Sequence, residues 1–116
     1  MRTLGAVMEH VEPGLVRVAA EVTPATSQQQ GAGHAALTFA LADSAAGYAA
    51  LTLIEEGMEV VTSEFRISLL APARGRLVAE GRVIRPGRRL LAVAADVRAG
   101  DVHVATALGT MVPVSP

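Results

Sequence analysis

A single carboxylate, Asp43, lies inside an apolar, helix-forming run of this 116-residue chain. Its neighbours at helical spacing are Phe39, Ala40, Ala46 and Gly47, and none of these side chains can pair with a charge. Because an unpartnered charge is costly to bury, the carboxylate must find a partner elsewhere in the structure or reach water. Asp43 is therefore a candidate for chemistry, either as a general base that activates water or as a nucleophile.

The helix that carries Asp43 is predicted to span residues 34–56, a stretch without proline in which Ala and Leu dominate. Large residues recur at helical spacing along one stripe, and small residues together with Asp43 form a second stripe. A helix that is apolar on nearly every side is expected to be buried. We expect it to be about 34 Å long and to end at Gly57, which suits a C-terminal cap.

The hydrophobic period is two residues on both sides of this helix, which predicts strands. They are expected at residues 4–9, 15–22, 59–70, 76–85, 89–98 and 102–112. Polar residues and glycines predict a loop at 23–33. Turn signals between the last four strands predict an antiparallel meander, and a strand with one polar and one apolar face indicates a sheet covered on one side, by the helix.

The length of 116 residues predicts a single domain over residues 1–116. The hydrophobic content of 51% favours an oligomer, because monomers rarely expose large apolar patches. A formal net charge of −1, without interleaved aromatic and basic residues, argues against a nucleic-acid partner.

The location and the metal content can also be predicted from the residues. No stretch is long and apolar enough to predict a membrane-spanning helix, and no signal-peptide pattern is present, so we expect a cytoplasmic protein without a membrane partner. The chain has no cysteine, which excludes disulfides and Cys-based metal sites. His10 and His103 lack partners at ligand spacing, and no metal site is predicted.

The start of the helix carries a pattern that is also found in a known family. His34 stands nine residues before Asp43, within a run that continues Leu41-Ala-Asp43-Ser-Ala-Ala-Gly47. Segments 62–75, 87–88 and 105–110 fit the later strands of the same family. This ordered set covers nearly the whole chain and resembles the PaaI-type acyl-CoA thioesterases. The resemblance implies an α+β hotdog fold, an antiparallel sheet wrapped around one long central helix.

The resemblance also implies a thioester hydrolase. Free N–H groups at a helix start, with the positive end of the helix dipole, suit a developing oxyanion, and Ala35 is the candidate donor. The family carries a glycine pair where this chain has Ala35 and Ala36. Asp43 lies roughly 13 Å along the helix from its start, so the two groups would meet only across a dimer. The resemblance implies the same, with Asp43 supplied by the facing subunit.

Supporting residues follow from the same resemblance. Gln28 would hold the water or the carbonyl, and Thr62 would hydrogen-bond the water or the Asp43 carboxylate. His34 would either fix the loop before the helix or take part in acid–base chemistry. The basic residues that would bind the phosphates of coenzyme A are Arg85, Arg88 and Arg89. Coenzyme A would enter as part of the acyl-CoA substrate, with no separate cofactor, and the chain would form a homodimer or a dimer of dimers.

Structural interpretations of these residues remain open. Asp43 could be a structural carboxylate at an interface, and Thr62 an ordinary strand residue. Gln28 could belong to a plain loop, and the three arginines could form a solvated turn.

Two other functions also remain open. A non-catalytic acyl-CoA-binding or assembly module on the same scaffold is favoured by the Ala35–Ala36 pair. A hydratase or dehydratase would need His34 to act beside Asp43. The acyl group is not specified by the sequence, although Phe39, Tyr48 and Phe65 could contribute to its pocket.

Overall fold

The computed structural model describes residues 5–24 and 34–116. Its elements follow the predicted order, with two strands before one helix and four strands after it. The strands are β1 (Val7–Glu12), β2 (Leu15–Glu21), β3 (Glu59–Leu69), β4 (Arg76–Pro86), β5 (Leu91–Ala99) and β6 (Val102–Val114), and the helix is α1 (Ala35–Leu51). All six strands form one antiparallel sheet in the order β1-β2-β4-β5-β6-β3. Most of the predicted loop at 23–33 lies outside the described residues.

The predicted four-strand meander is wrong for β3. Strands β4, β5 and β6 are sequential neighbours, but β3 pairs with β6 at the edge of the sheet, and β2 lies beside β4. The end of β3 stays on β6 because the N–H groups of Leu70 and Ala71 donate to the carbonyl of Val104 at 2.8 and 3.2 Å. The start of β4 is held on β2, where the Val22 N–H donates to the Gly75 carbonyl at 2.8 Å. The connecting segment therefore crosses the sheet instead of forming a hairpin.

Strand β1 continues to Glu12, beyond its predicted end at residue 9. Pro13 and Gly14 form a two-residue turn, so that Glu12 pairs directly with Leu15. Gly14 has a φ of +79°, a conformation that glycine adopts without a steric cost. Because the turn is so short, β1 and β2 are paired up to the residues that flank it.

The helix lies directly on the sheet because small residues meet at the contact. A Cβ atom at Gly81 on β4 would overlap the backbone of Ala45 and Ala46. The helix residues of the sheet-facing side are buried: Leu37, Thr38, Leu41, Ala42, Ala45, Ala46, Ala49 and Ala50. The hydrophobic core fills the space between this side and the inner face of the sheet, with Val16, Leu77 and Val93 among its members.

The expectation that the helix is buried nearly all round is wrong for the single chain. Phe39, Tyr48 and Leu51 of the helix are exposed, and Asp43 and Gly47 are half-buried. The sheet covers only one side of α1, and an apolar side is left uncovered by the described residues.

Helix α1 also ends at Leu51, earlier than predicted, and Gly57 is not its cap. The Thr52 hydroxyl donates to the Ala49 carbonyl at 2.6 Å and accepts the Gly14 N–H at 2.8 Å. This contact ties the helix end to the β1–β2 turn, and Gly57 instead takes a φ of +88° in the turn before β3. The 17 residues of the helix give a length of about 26 Å. No helix within the two described ranges has both the length and the apolar character needed to cross a membrane.

Candidate active site

Asp43 lies in the middle of α1 and faces β3. The Thr62 hydroxyl donates to Asp43 Oδ1 at 2.8 Å, and its oxygen lies 3.4 Å from Met111 Sδ on β6. The partner that the apolar helix cannot supply is therefore provided by a strand. Asp43 and Thr62 open onto a cleft of about 340 Å³. The cleft is lined by Asp43, Ser44, Gly47, Tyr48, Leu51, Glu59, Val60, Thr62 and Met111.

An irregularity in β3 gives Thr62 its orientation. The register with β6 shifts between Thr62 and Glu64. In a regular strand, Thr62 and Phe65 would point to opposite faces, because they are three residues apart. The extra residue brings both to the helix side, where Phe65 meets Phe39 edge-on with ring centroids 5.4 Å apart. One strand can therefore supply both the hydroxyl of the site and a packed aromatic ring.

The N-terminus of α1 carries the predicted oxyanion donor, Ala35. His34 is the N-cap, with an extended backbone (φ −64°, ψ 147°) and no capping hydrogen bond from its side chain. Its carbonyl accepts the Leu37 N–H at 3.0 Å. Among the described residues, the N–H groups of Ala35 and Ala36 have no acceptor, and both residues are exposed. This end of the helix can offer two donors and the positive end of its dipole to an anion.

Alanine is sterically compatible with these two positions. No non-glycine residue in ranges 5–24 and 34–116 has a positive φ. Ala35 and Ala36 therefore adopt a backbone that any residue can take, and the amide donors do not require the family's glycines.

The helix start and the carboxylate of one chain are well separated. Asp43 lies eight positions after Ala35, which corresponds to about 12 Å along the helix axis. His34 is further still, so no described contact joins it to Asp43. Within one chain, a single reacting carbonyl therefore cannot contact both the Ala35 amide and the Asp43 carboxylate.

The three predicted phosphate-binding arginines lie close together in the chain and are all exposed. Arg85 belongs to β4, and Arg88 and Arg89 lie in the turn that leads to β5. None of the three forms an ion pair with a described residue. Arg88 lines a cleft of about 290 Å³ together with Met58. Met58 directly precedes Glu59 of the Asp43 cleft, so both clefts reach the beginning of β3.

The structure adds residues to the site that the sequence did not single out. One predicted site residue cannot be located. Gln28 lies outside the described residues. Glu59, Gly47 and Met111 line the Asp43 cleft without having been predicted there. Gly47 carries a usable signal, because glycine inside a helix costs about 1 kcal/mol relative to alanine. Glu59 and Met111 carry none, since strand pairing alone brings them to the cleft.

A second polar cluster lies on the outer face of the sheet. Arg82 donates to Asp96 Oδ2 at 2.8 Å, and His103 Nε2 lies 2.8 Å from Asp96 Oδ1. Partial burial alone would raise the pKa of Asp96, but hydrogen bonds from Arg82, Thr106 and His103 outweigh it and hold this pKa below its usual value. His103, which the sequence indicated to be isolated, thus has a carboxylate partner. Within the described residues, no group of three potential ligands could hold a metal ion.

The topology and the site can be compared with known proteins. The model of the thioesterase superfamily matches residues 30–106. The chain belongs to the thioesterase superfamily. A protein of Saccharolobus solfataricus, named provisionally as an esterase, is 32% identical over 111 residues, which cover 94% of this chain and 73% of that protein.

Solved structures of the superfamily confirm the predicted hotdog fold. A thioesterase family protein from Silicibacter pomeroyi has a TM-score of 0.94 and 36% identity, and the match covers 100% of this chain and 89% of that one. The PaaI protein of E. coli, from the phenylacetic acid degradation operon, has a TM-score of 0.89 and 23% identity, with coverage of 98% and 83%. The latter shows the fold alone. For this thioesterase superfamily member, the family and its relatives support hydrolysis of acyl thioesters in general.

Proposed function

We propose that the protein hydrolyses acyl-coenzyme A thioesters, with Asp43 as the catalytic carboxylate. The observation that carries the proposal is the Asp43–Thr62 hydrogen bond inside an open cleft, on a helix that supplies no other partner. As a general base, Asp43 would take a proton from the water that attacks the carbonyl carbon. As a nucleophile, it would form a mixed anhydride that water then hydrolyses. Either route breaks the carbon–sulfur bond and releases the thiol of coenzyme A.

The oxyanion donor in this proposal is the N–H of Ala35, from the facing subunit of a homodimer. The interval of about 12 Å between Ala35 and Asp43 on one helix supports this arrangement, because one carbonyl cannot reach both. The exposed amides at the helix start support the donor role, since preorganised N–H groups stabilise the charge that develops on the carbonyl oxygen.

The proposed dimer uses the β3 edge of the sheet. This edge strand is 11 residues long and carries exposed apolar residues, including Val61 and Leu69. A long, apolar edge is a template for pairing with another strand. Pairing of two β3 strands would continue the sheet and turn each Asp43 cleft towards the second copy, since Thr62 lies on the same strand. A dimer of dimers would leave this pairing unchanged.

The phosphates of coenzyme A are proposed to bind Arg85, Arg88 and Arg89. Their exposure and their lack of ion pairs with described residues leave the guanidinium groups available for paired hydrogen bonds. Arg88→Ala is expected to raise KM about tenfold while kcat changes little, because phosphate binding is the same in the ground state and in the transition state. Steady-state kinetics at two salt concentrations would check this, and an unchanged KM would remove Arg88 from the site.

Free-thiol release tests the function directly. Acetyl-, butyryl-, octanoyl-, benzoyl- and phenylacetyl-coenzyme A would be offered to the wild type and to Asp43→Asn, with the fold of both followed by circular dichroism. We expect release by the wild type and its loss in the folded variant. Full release by Asp43→Asn would contradict the assigned role. Saturable binding without release by the wild type would instead identify a non-catalytic acyl-CoA-binding module.

A further inference from the structure

Gly47, in the middle of α1, is a glycine that neither its backbone nor its packing requires. Of the nine glycines within ranges 5–24 and 34–116, five have a positive φ, which favours glycine. Three more, outside the helix, would drive a Cβ atom into a neighbouring residue. Gly47 is the ninth, and its backbone is helical. A Cβ atom on it would lie 3.9 Å from Met111 Cε, an ordinary van der Waals contact. Alanine would therefore fit here and, as the better helix former, would stabilise α1.

The missing Cβ atom leaves space beside the candidate catalytic carboxylate. Gly47 follows Asp43 by four residues, so the two residues are neighbours on one face of the helix, and both line the cleft. The Cβ atoms of a helix tilt towards its N-terminus, so a methyl group at position 47 would point back towards Asp43. On the other side the space is closed by Met111, which is 1% exposed. The floor of the cleft is therefore deeper by about one methyl group than alanine would leave it.

This floor suits the acyl group of a thioester better than the thiol. Coenzyme A continues from its sulfur through polar amides to charged phosphates, and a floor closed by Met111 gives such an arm no way out. The acyl group carries no tether of this kind and can be enclosed. Four residues of helix span about 6 Å along the axis. The atoms that reach Gly47 are therefore those attached next to a carbonyl held at Asp43.

We propose that Gly47 is a specificity-determining residue, which makes room for a second substituent on the acyl carbon next to the thioester carbonyl. The inference rests on the proposed function and names its substrate class, an acyl-coenzyme A branched at that carbon. A methyl branch is the size of the side chain that Gly47 lacks. Alanine at this position would compete with the branch for the same closed space, and overpacking of such a space is costly.

Two isomeric substrates test the proposal. Butyryl- and isobutyryl-coenzyme A contain the same atoms and differ in the branch alone. The rate constant kcat/KM would be measured for both with the wild type, Gly47→Ala and Gly47→Ser. Serine adds a side chain of similar size without the helix preference of alanine. Ala40→Gly is the control, because Ala40 is partly buried on the same helix but is not among the residues that line the cleft.

We expect the wild type to release thiol from both isomers. Gly47→Ala and Gly47→Ser are each expected to lower the isobutyryl-to-butyryl ratio of kcat/KM about tenfold. Ala40→Gly should keep the ratio of the wild type. The melting temperature should rise by about 4 °C in Gly47→Ala and fall by a similar amount in Ala40→Gly, because the two changes reverse each other in helix propensity.

Three results would overturn the inference. The first is an unchanged ratio in Gly47→Ala. The second is an equal loss of kcat/KM with both isomers, which would place the thiol arm or the attacking water over Gly47. The third is a lower melting temperature of Gly47→Ala, or a change in its oligomeric state by light scattering, because the glycine would then serve packing against a second copy of the chain.

Failure of the proposed function can be distinguished from failure of this inference. If the wild type releases no thiol from any thioester, calorimetry would compare the binding of butyryl- and isobutyryl-coenzyme A to the wild type and to Gly47→Ala. Weaker binding of the isobutyryl thioester alone in Gly47→Ala would support the space for a branch without catalysis. Equal changes for both thioesters would refute it.

Discussion

Two aspartates of this chain occupy opposite surroundings. Asp96, on the outer face of the sheet, accepts from a guanidinium and a hydroxyl and pairs with an imidazole. Asp43, on the helix side, is given one hydroxyl donor by the described residues, Thr62, and opens onto a cleft. A carboxylate surrounded by donors is fixed as an acceptor and stabilises the sheet. A carboxylate with one neutral donor keeps room to accept a proton from water or to attack a carbonyl.

Exchanging each aspartate for asparagine should separate the two roles most clearly. Asp43→Asn is expected to lower kcat by about 10²- to 10⁴-fold, the usual contribution of a general base, because the amide cannot accept the proton. Asp96→Asn should change kcat less than twofold. Rates would be compared with the melting temperature of each variant. Similar losses of activity in both variants would show that Asp43 has no special role.

Each aspartate accepts a hydrogen bond from a threonine, and substitution of these threonines should separate the two roles with smaller effects. Thr62→Ala is expected to lower kcat about tenfold, because Asp43 loses the donor that orients it, and Thr62→Ser should restore most of the rate. Thr106→Ala removes the matching donor from Asp96 and should affect stability alone. If serine fails to rescue the activity, packing against Met111 rather than the hydroxyl is what matters at Thr62.

The sequence was sufficient to predict the element order, the single helix and the isolation of Asp43 on it. These follow from hydrophobic period and side-chain chemistry, which act over a few residues. The end of α1 was not predictable, because the residues after Leu51 are still compatible with a helix. It is decided by a hydrogen bond from Gly14 to Thr52, between residues 38 positions apart.

The bulges of β1 and β3 could not be predicted from the sequence either. One extra residue reverses the alternation of a strand, so a period of two cannot show which side chains share a face beyond that point. Thr62 and Phe65 share the helix side for this reason, as do Met8 and Val11. The partners of Asp96 were not predictable for a related reason. They come from β4 and β6, and the order of the strands in the sheet decides that these strands flank β5.

The cluster of Arg82, Asp96 and His103 on the outer face of the sheet should make the free energy of unfolding depend on pH in the acidic range. The pKa of Asp96 lies below its usual value of 3.8 in the folded chain, so its stabilisation is fully present above that value and is lost as the pH falls through the lower one. Asp96→Asn is expected to lower the free energy of unfolding by about 1 kcal/mol at neutral pH. Urea titrations across pH should show this gap closing in acid, and a gap independent of pH would assign the effect to shape rather than charge.

The smallest expected effect is that of His103→Ala, because it leaves Asp96 with Arg82 and Thr106 as donors. The loss of one half-exposed partner should cost about 0.5 kcal/mol in the free energy of unfolding. A double-mutant cycle with Arg82→Ala, followed by urea unfolding, would measure how far the two donors replace each other. We expect the double variant to lose more than the sum of the single losses, because a hydroxyl would then be the one donor that the described residues give Asp96, as they do Asp43. Strictly additive losses would mean that the donors act independently, and that the number of partners is not what separates the two aspartates.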